Sequence, residues 1–287
     1  MRKQELEALG THFTIVTWDE GYTEAIAEAV EQKIRAFDAT YSRFIPTSLI
    51  STLRGKTGTF AVPSELIELL RAYMKINQAT EGKINPCIGE TLESMGYDAT
   101  YSFTEAATIV VPPSFPETVQ LIGDTHLHLT RGTLLDLGAL GKGFIVDRVY
   151  DFLRSAGLSR FMVDGSGDIR YYAGASGEAI TCALQHPTLL DRALGTVALR
   201  EGSLCASTTA LRSWGKHTHY VDPHTLTHPS LLATWVLAKD ATTADALSSA
   251  LFFASPEQLS EYTFDYCIVT AAHEIKTSEH FTVEWFT

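Results

Sequence analysis

Cysteine is scarce in this chain and scattered. The 287 residues hold four (Cys87, Cys182, Cys205, Cys267), with no C-x-x-C pair and no zinc-type spacing. That excludes a disulfide framework and reads as four reduced core thiols. Long apolar runs are missing too: none approaches the roughly 18 residues that a membrane span requires. The first residues, MRKQELEALGTHF, hold neither an apolar signal core nor a lipobox cysteine, so a cytoplasmic protein without a membrane segment is expected. Basic charge is in deficit. With 22 Lys and Arg against 34 Asp and Glu, the net charge of −12 argues against a nucleic-acid or anionic-membrane surface. No repeat, low-complexity tract or clean linker divides the chain. At 45% hydrophobic it can bury a full core, and a single unit over residues 1–287, built of two intertwined lobes, is expected.

The two familiar phosphate loops are also absent. A Walker A loop needs G-x-x-x-x-G-K-[ST], but position 136 is Asp and Lys142 is followed by Gly143. The dinucleotide fingerprint G-x-G-x-x-G fails because Gly138, Gly141 and Gly143 are spaced the other way round. What does stand there, from Asp136 to Arg170, is a glycine-rich loop, an amphipathic helix and a short apolar strand ending in a second glycine turn. Phe144, Val149, Phe152, Leu153 and Ala156 fall on one side of that helix; Asp147, Arg148, Asp151 and Arg154 fall on the other. Glycines let backbone N–H groups reach an anion, and a helix N-terminus adds positive potential. Packing alone would also explain glycines at such a corner. An acidic protein that does handle phosphate needs a local remedy, for which a divalent cation is usual.

Helices are expected over Thr23–Ala39, Ser64–Gln78 (with the serine as N-cap), 142–156 and Thr243–Ala254. Strands are expected over His12–Trp18, 117–122, 125–130, 160–164, 168–173, 179–185, 194–200, 266–272 and 281–286. Strands and helices do not alternate regularly. The expected class is therefore α+β, with largely antiparallel sheets flanked by helices and the site in a cleft.

Three segments carry possible chemistry. Asp245 and Ser249 are four apart, so they share a helix face, and a carboxylate with a hydroxyl suits magnesium. On spacing alone a capping Thr243, with Asp245 complementing the dipole, is the stronger explanation. In HTHYVDPHT, a strand over Lys216–Val221 would put His217 and His219 on one side, where imidazole is a natural general base. A zinc site using His224 and His228, or a polar loop rich in histidine, are the rival readings. In YSRFIPTSLISTL, Ser48 can cap a short helix, and Phe44 is either a platform for a ring or a core residue.

Together these motifs resemble the ApbE family, the magnesium-dependent FAD:protein FMN transferases, along nearly the whole chain. Leu9-Gly10-Thr11 is similar to the family's M-G-T, and Ser42-x-Phe44-x-x-Thr47-Ser48 to S-x-Y-x-x-x-S. Thr80 to Pro86 stands where the family has D-G-A-F-D-P. The run from Asp136 to Asp147 is similar to D-L-G-G-I-A-K-G-x-x-x-D. His219-x-x-Asp222-Pro223-x-Thr225 is similar to H-x-x-D-P-x-T-G, and Ala244 to Ala250 to A-D-A-L-A-T-A. The resemblance implies that FAD is split at its pyrophosphate, with FMN passing to a Thr or Ser hydroxyl of an acceptor protein and AMP released. It implies magnesium at Asp245, the Ser249 hydroxyl and the Ala139 carbonyl. It places FAD contacts at Asp136, Lys142, Leu9, Phe44, Lys83, Ile84, Asn85 and Val221, and makes His219 the base. The departures are Ser249 for threonine, Leu226 for glycine, Ile84-Asn85 for Phe-Asp, Arg54 for asparagine and Ser166-Gly167 for Gly-Gly. They fall mainly on the flavin side. They motivate two alternatives: an FAD-binding protein with a degenerate site, and an FAD pyrophosphatase giving FMN and AMP.

Overall fold

A computed structural model describes residues 1–286. Its largest sheet has eight strands, in the spatial order Arg2–Ala8, Thr11–Thr17, Phe161–Asp164, Asp168–Tyr172, Gly202–Thr208, Leu231–Ala238, Asp265–Thr270 and Ile275–Thr277. Each is antiparallel to its neighbours. Two three-stranded sheets accompany it: Gly58–Ala61, His126–Leu129 and Val119–Ile122, and Glu284–Trp285, Ala193–Leu199 and Ile180–Gln185. A small hairpin pairs Ser213–Trp214 with His217–Thr218. The helices are α1 (Glu24–Tyr41), α2 (Leu49–Leu53), α3 (Ser64–Ala79), α4 (Gly89–Ser94), α5 (Phe115–Thr118), α6 (Gly141–Ser155) and α7 (Ala241–Ala250). The antiparallel α+β class expected from the sequence is what the chain adopts.

Local sequence explains most of the helices. Thr23 caps α1, and Val30, Ile34, Phe37 and Tyr41 recur at the helical period to form its buried stripe. Ser48 caps α2 by accepting from the Ser51 N–H at 3.0 Å. Two expected caps are displaced. Ser64 lies inside α3, whose cap position is Pro63. The cap of α7 is Asp240, which accepts from the Thr243 N–H at 2.8 Å. Asp147, expected on the polar side of α6, is instead largely covered by contacts from Arg170 and α7.

The middle of the large sheet is covered on both faces. Val163, Cys205, Val236 and Ile268 point into a core shared with α1, α3, α6 and α7. Tyr171, Leu204, Trp235 and Cys267 point the other way, against Cys182, Leu184, Val197 and Leu199 of a smaller sheet. A strand covered on both faces shows no alternation of apolar and polar residues. That is why GSLCAST and LLATWVLA, the strands 202–208 and 231–238, escape a reading based on period. All four cysteines are free and buried. Among the described residues, no helix is long and apolar enough to cross a membrane.

Candidate active site

The site begins where α6 and α7 touch. Gly143, in the first turn of α6, donates its N–H to Asp245 Oδ2 on α7 at 2.8 Å. A Cβ at Gly143 would stand 2.2 Å from the Ala241 carbonyl oxygen and 2.7 Å from the Asp245 Cβ, so only glycine allows this approach. Asp147, one turn further along α6, accepts from the N–H groups of Ala241 and Thr242, both at 2.9 Å, and from Thr242 Oγ1 at 2.6 Å. Arg170 pairs with the same carboxylate at 2.6 Å. The start of α7 is thus held by an acid on α6, and Asp245 follows from that docking. Gly143→Ala is expected to destabilise the fold by about 3 kcal/mol, because its new contact is with rigid backbone. A fall in the urea midpoint checks it.

Around this junction, besides the Asp147–Arg170 pair, lie two carboxylates and one ammonium. Lys142 Nζ is paired with Asp168 Oδ2, and Asp168 is fully buried. Its other oxygen, Oδ1, has no hydrogen-bond partner. Burial, then the nearby charge of Asp168, pushes Asp245 up to about 8, although Lys142 and the Gly143 N–H act the other way. Lys142 is shifted upward: burial opposes its charge, but Asp168 and Asp245 outweigh that. Ser249, one turn beyond Asp245, is buried, and its Oγ lies 3.5 Å from the Tyr220 hydroxyl. Ala139 enters the same region with its N–H on the Tyr73 hydroxyl at 3.1 Å. Among the described residues, no three His, Cys, Asp or Glu side chains form a metal cluster. The donor set nevertheless fits one hard cation: hydroxyl and carboxyl oxygens, a buried Asp168 oxygen left without a partner, and an Asp245 carboxyl whose charged form a cation would favour. It does not have the three nitrogen or sulfur donors that zinc favours.

His219 follows the small hairpin, which is shorter than the strand expected over 216–221. The strand that would align it with His217 thus stops at Thr218. The His219 backbone N–H and Nδ1 both lie 3.2 Å from the Arg212 carbonyl. A carbonyl only accepts, so the ring proton sits on Nδ1 and Nε2 keeps its lone pair. Burial, then the positive charge of Arg212, pushes the imidazole down to about 3, although the Asp136 charge acts against this. The ring packs on Tyr220 at 4.1 Å, and Tyr220 stacks on Phe252 at 4.3 Å.

The residues expected to meet FAD divide into two groups. Asp136 Oδ2 accepts from Arg43 Nε at 2.6 Å and Oδ1 from the Gly138 N–H at 2.8 Å. Burial would raise this carboxyl, but Arg43 and the Gly138 N–H hold it below the usual range. The Arg43 guanidinium lies over Phe44 at 4.1 Å, and Phe44 lies parallel to Tyr101 at 5.4 Å. Leu9 stands at φ 52° with its N–H on Asp38 at 2.9 Å, and the Tyr101 hydroxyl approaches the adjacent Gly10. These residues present an aromatic wall beside the charged cluster. Ile84, Asn85 and Val221 have other work. Ile84 is in the main core. Asn85 caps a 3-10 turn through the Cys87 N–H and donates to the Pro113 carbonyl, both at 2.9 Å. Val221 packs with Leu92, Met95, Tyr97 and Trp214. Lys83 Nζ donates to the Phe253 carbonyl at 3.1 Å, just beyond α7. Asp168, Arg43, Tyr220 and Tyr101 are site residues that motif reading missed. Only Asp168 left a signal, as the acid closing the D-G-S-G-D turn.

Buried carboxylates around one lysine, beside a neutral imidazole with a free lone pair, define a site suited to phosphoryl or nucleotidyl transfer. The comparisons with known proteins agree. The ApbE family profile matches residues 9–266. The FAD:protein FMN transferase of Vibrio cholerae serotype O1 is 25% identical over 217 residues, and the match covers 69% of this chain and 64% of that protein's length. The protein of that name from Haemophilus influenzae is 25% identical over 284 residues, covering 89% and 81%. Among solved structures, the ApbE protein of Thermotoga maritima superposes with a TM-score of 0.85 at 22% identity, over 98% of this chain and 97% of that one. The flavin transferase ApbE from Vibrio cholerae gives 0.80 at 20% identity, over 98% and 97%. These likenesses show the fold. The chain belongs to the ApbE family.

Proposed function

We propose that this protein transfers the FMN half of FAD to a threonine or serine hydroxyl of an acceptor protein, releasing AMP. The family match supports the reaction, and one observation supports the roles: a neutral His219 with Nε2 free beside the Lys142–Asp168–Asp245 cluster. The acceptor oxygen bonds to the phosphorus on the riboflavin side, and the pyrophosphate P–O bond breaks. AMP leaves with the bridging oxygen, and the hydroxyl proton passes to His219 Nε2. Burial, then the Arg212 charge, favours the neutral imidazole before substrate arrives. The negative pyrophosphate then raises its basicity toward the working range.

Lys142 supplies a positive charge to the phosphates, and Arg43 orients Asp136 and backs the aromatic wall at Phe44. Asp245, the Ser249 hydroxyl and the Ala139 carbonyl would hold magnesium, which when bound offsets phosphate charge. Of the departures, Ile84 is engaged in the core and Asn85 in a 3-10 cap.

Incubation with FAD, magnesium and an acceptor protein should give equal amounts of AMP and a fluorescent flavinylated band. AMP released without acceptor would instead make water the acceptor, and FAD retained without any AMP would leave a binding protein.

A further inference from the structure

His217, unlike His219, has both ring nitrogens engaged. Its Nε2 lies 2.7 Å from Glu105 Oε2, and its Nδ1 lies 3.0 Å from His228 Nε2. His228 Nδ1 in turn lies 2.9 Å from the Tyr220 carbonyl oxygen. The chain reads carboxylate, imidazole, imidazole, carbonyl. Both ends only accept. Three links need three protons, and two neutral imidazoles carry two. The third must come from solvent, giving one imidazolium shared by the pair with Glu105 as counter-ion. The His217 hydrogen bond, then Lys216, holds the Glu105 carboxyl below its usual range, so that end is ionised.

We propose that Glu105, His217 and His228 form a one-proton clamp that positions the His219–Tyr220 segment for the transfer reaction. The positioning role rests on the function proposed above. The clamp ends on the Tyr220 carbonyl, and Tyr220 in turn packs against His219 and reaches toward Ser249. Few other charges bear on it. Lys216 lies 3.0 Å from the same Glu105 oxygen, and its charge opposes the extra proton while Glu105 favours it. Arg212, Asp136 and Lys142 act on His219. Asp222 accepts from the N–H groups of His224 and Thr225. Trp214, beside the His217 ring at 5.9 Å, gives its N–H to the Met95 carbonyl at 2.7 Å. None of these provides the missing proton.

The sign of the pH response follows. With Glu105 the clamp is complete while it holds the extra proton, and it loses one link as rising pH removes it. Glu105→Gln supplies an amide N–H to His217 Nε2, so two neutral imidazoles then complete all three links. In that variant an added proton on Nε2 is met by the amide oxygen instead, so all three links stay complete on either side and the alkaline fall disappears.

The test uses the full chain with FAD, magnesium and acceptor protein from about pH 6 to about pH 9. The wild-type kcat should fall on the alkaline side by between about two- and tenfold, the worth of one hydrogen bond, with little change in KM for FAD. Glu105→Gln should lose that alkaline fall, whereas Glu105→Ala should have a lower kcat throughout. Histidine 15N NMR should show one imidazolium for the pair in the wild type and none in Glu105→Gln at the same pH. Equal alkaline falls in both proteins, or two neutral rings in the wild type, overturn the clamp. Wild-type protein that shows the single imidazolium but no transfer overturns the functional reading, and the positioning role with it.

Discussion

Asp245→Asn is expected to slow FMN transfer about a thousandfold while leaving the fold at least as stable as before. The substitution keeps the size of the side chain and removes its charge. In the native site that charge is costly: burial and Asp168 together push the carboxyl up to about 8, against about 3.9 in an unfolded chain. A carboxyl raised in this way contributes stability that is present below about pH 4 and is lost as pH rises toward about 8. The wild-type melting temperature should therefore decline across that window more steeply than that of Asp245→Asn. Magnesium changes the balance, because a cation at the carboxylate favours the charged form. Added magnesium should raise the wild-type melting temperature near pH 8 and leave that of Asp245→Asn unmoved. An equal magnesium shift in the two proteins would remove Asp245 from the metal's ligands, whatever the activity.

That acid could be picked out in the sequence only because Ser249 lies one turn away and because the surrounding motif resembles a known family. Its environment was not legible. Asp168 stands 77 residues upstream of Asp245, and only the docking of the large sheet against α6 and α7 makes the two carboxylates compete for one lysine. Asp136 likewise reads as a ligand contact until Arg43, 93 residues away, is seen to hold it. Helical stripes such as Val30, Ile34 and Phe37 are local and were readable from period alone. The strands 202–208 and 231–238 were not, because their second face is covered by a sheet formed from elsewhere in the chain. Arg2–Ala8 was not readable either, because that strand holds few apolar residues although one face meets solvent. Charges whose partners come from distant segments became visible only in three dimensions.

His219→Asn should lower kcat between about a hundred- and ten-thousandfold while FAD affinity, read by fluorescence titration, stays within about twofold. Asparagine is the informative choice because its side-chain N–H can replace the imidazole Nδ1–H that serves the Arg212 carbonyl. The segment keeps its anchor, and only the Nε2 lone pair is lost. The wild-type pH profile adds a second, independent reading. Burial and Arg212 push the free imidazole down to about 3 from an ordinary value of about 6.5. The neutral ring thus contributes stability above the ordinary value, and that contribution is lost as pH falls toward about 3. In kcat/KM, which reports the free enzyme, His219 should therefore give no acid limb near its ordinary range. In kcat, which reports the complex, the bound pyrophosphate adds negative charge beside the ring, and the acid limb moves to higher pH. A kcat limb displaced upward from that of kcat/KM, and absent in His219→Asn, is the signature of a base that the substrate itself brings into range. Coincident limbs would assign the proton to another group.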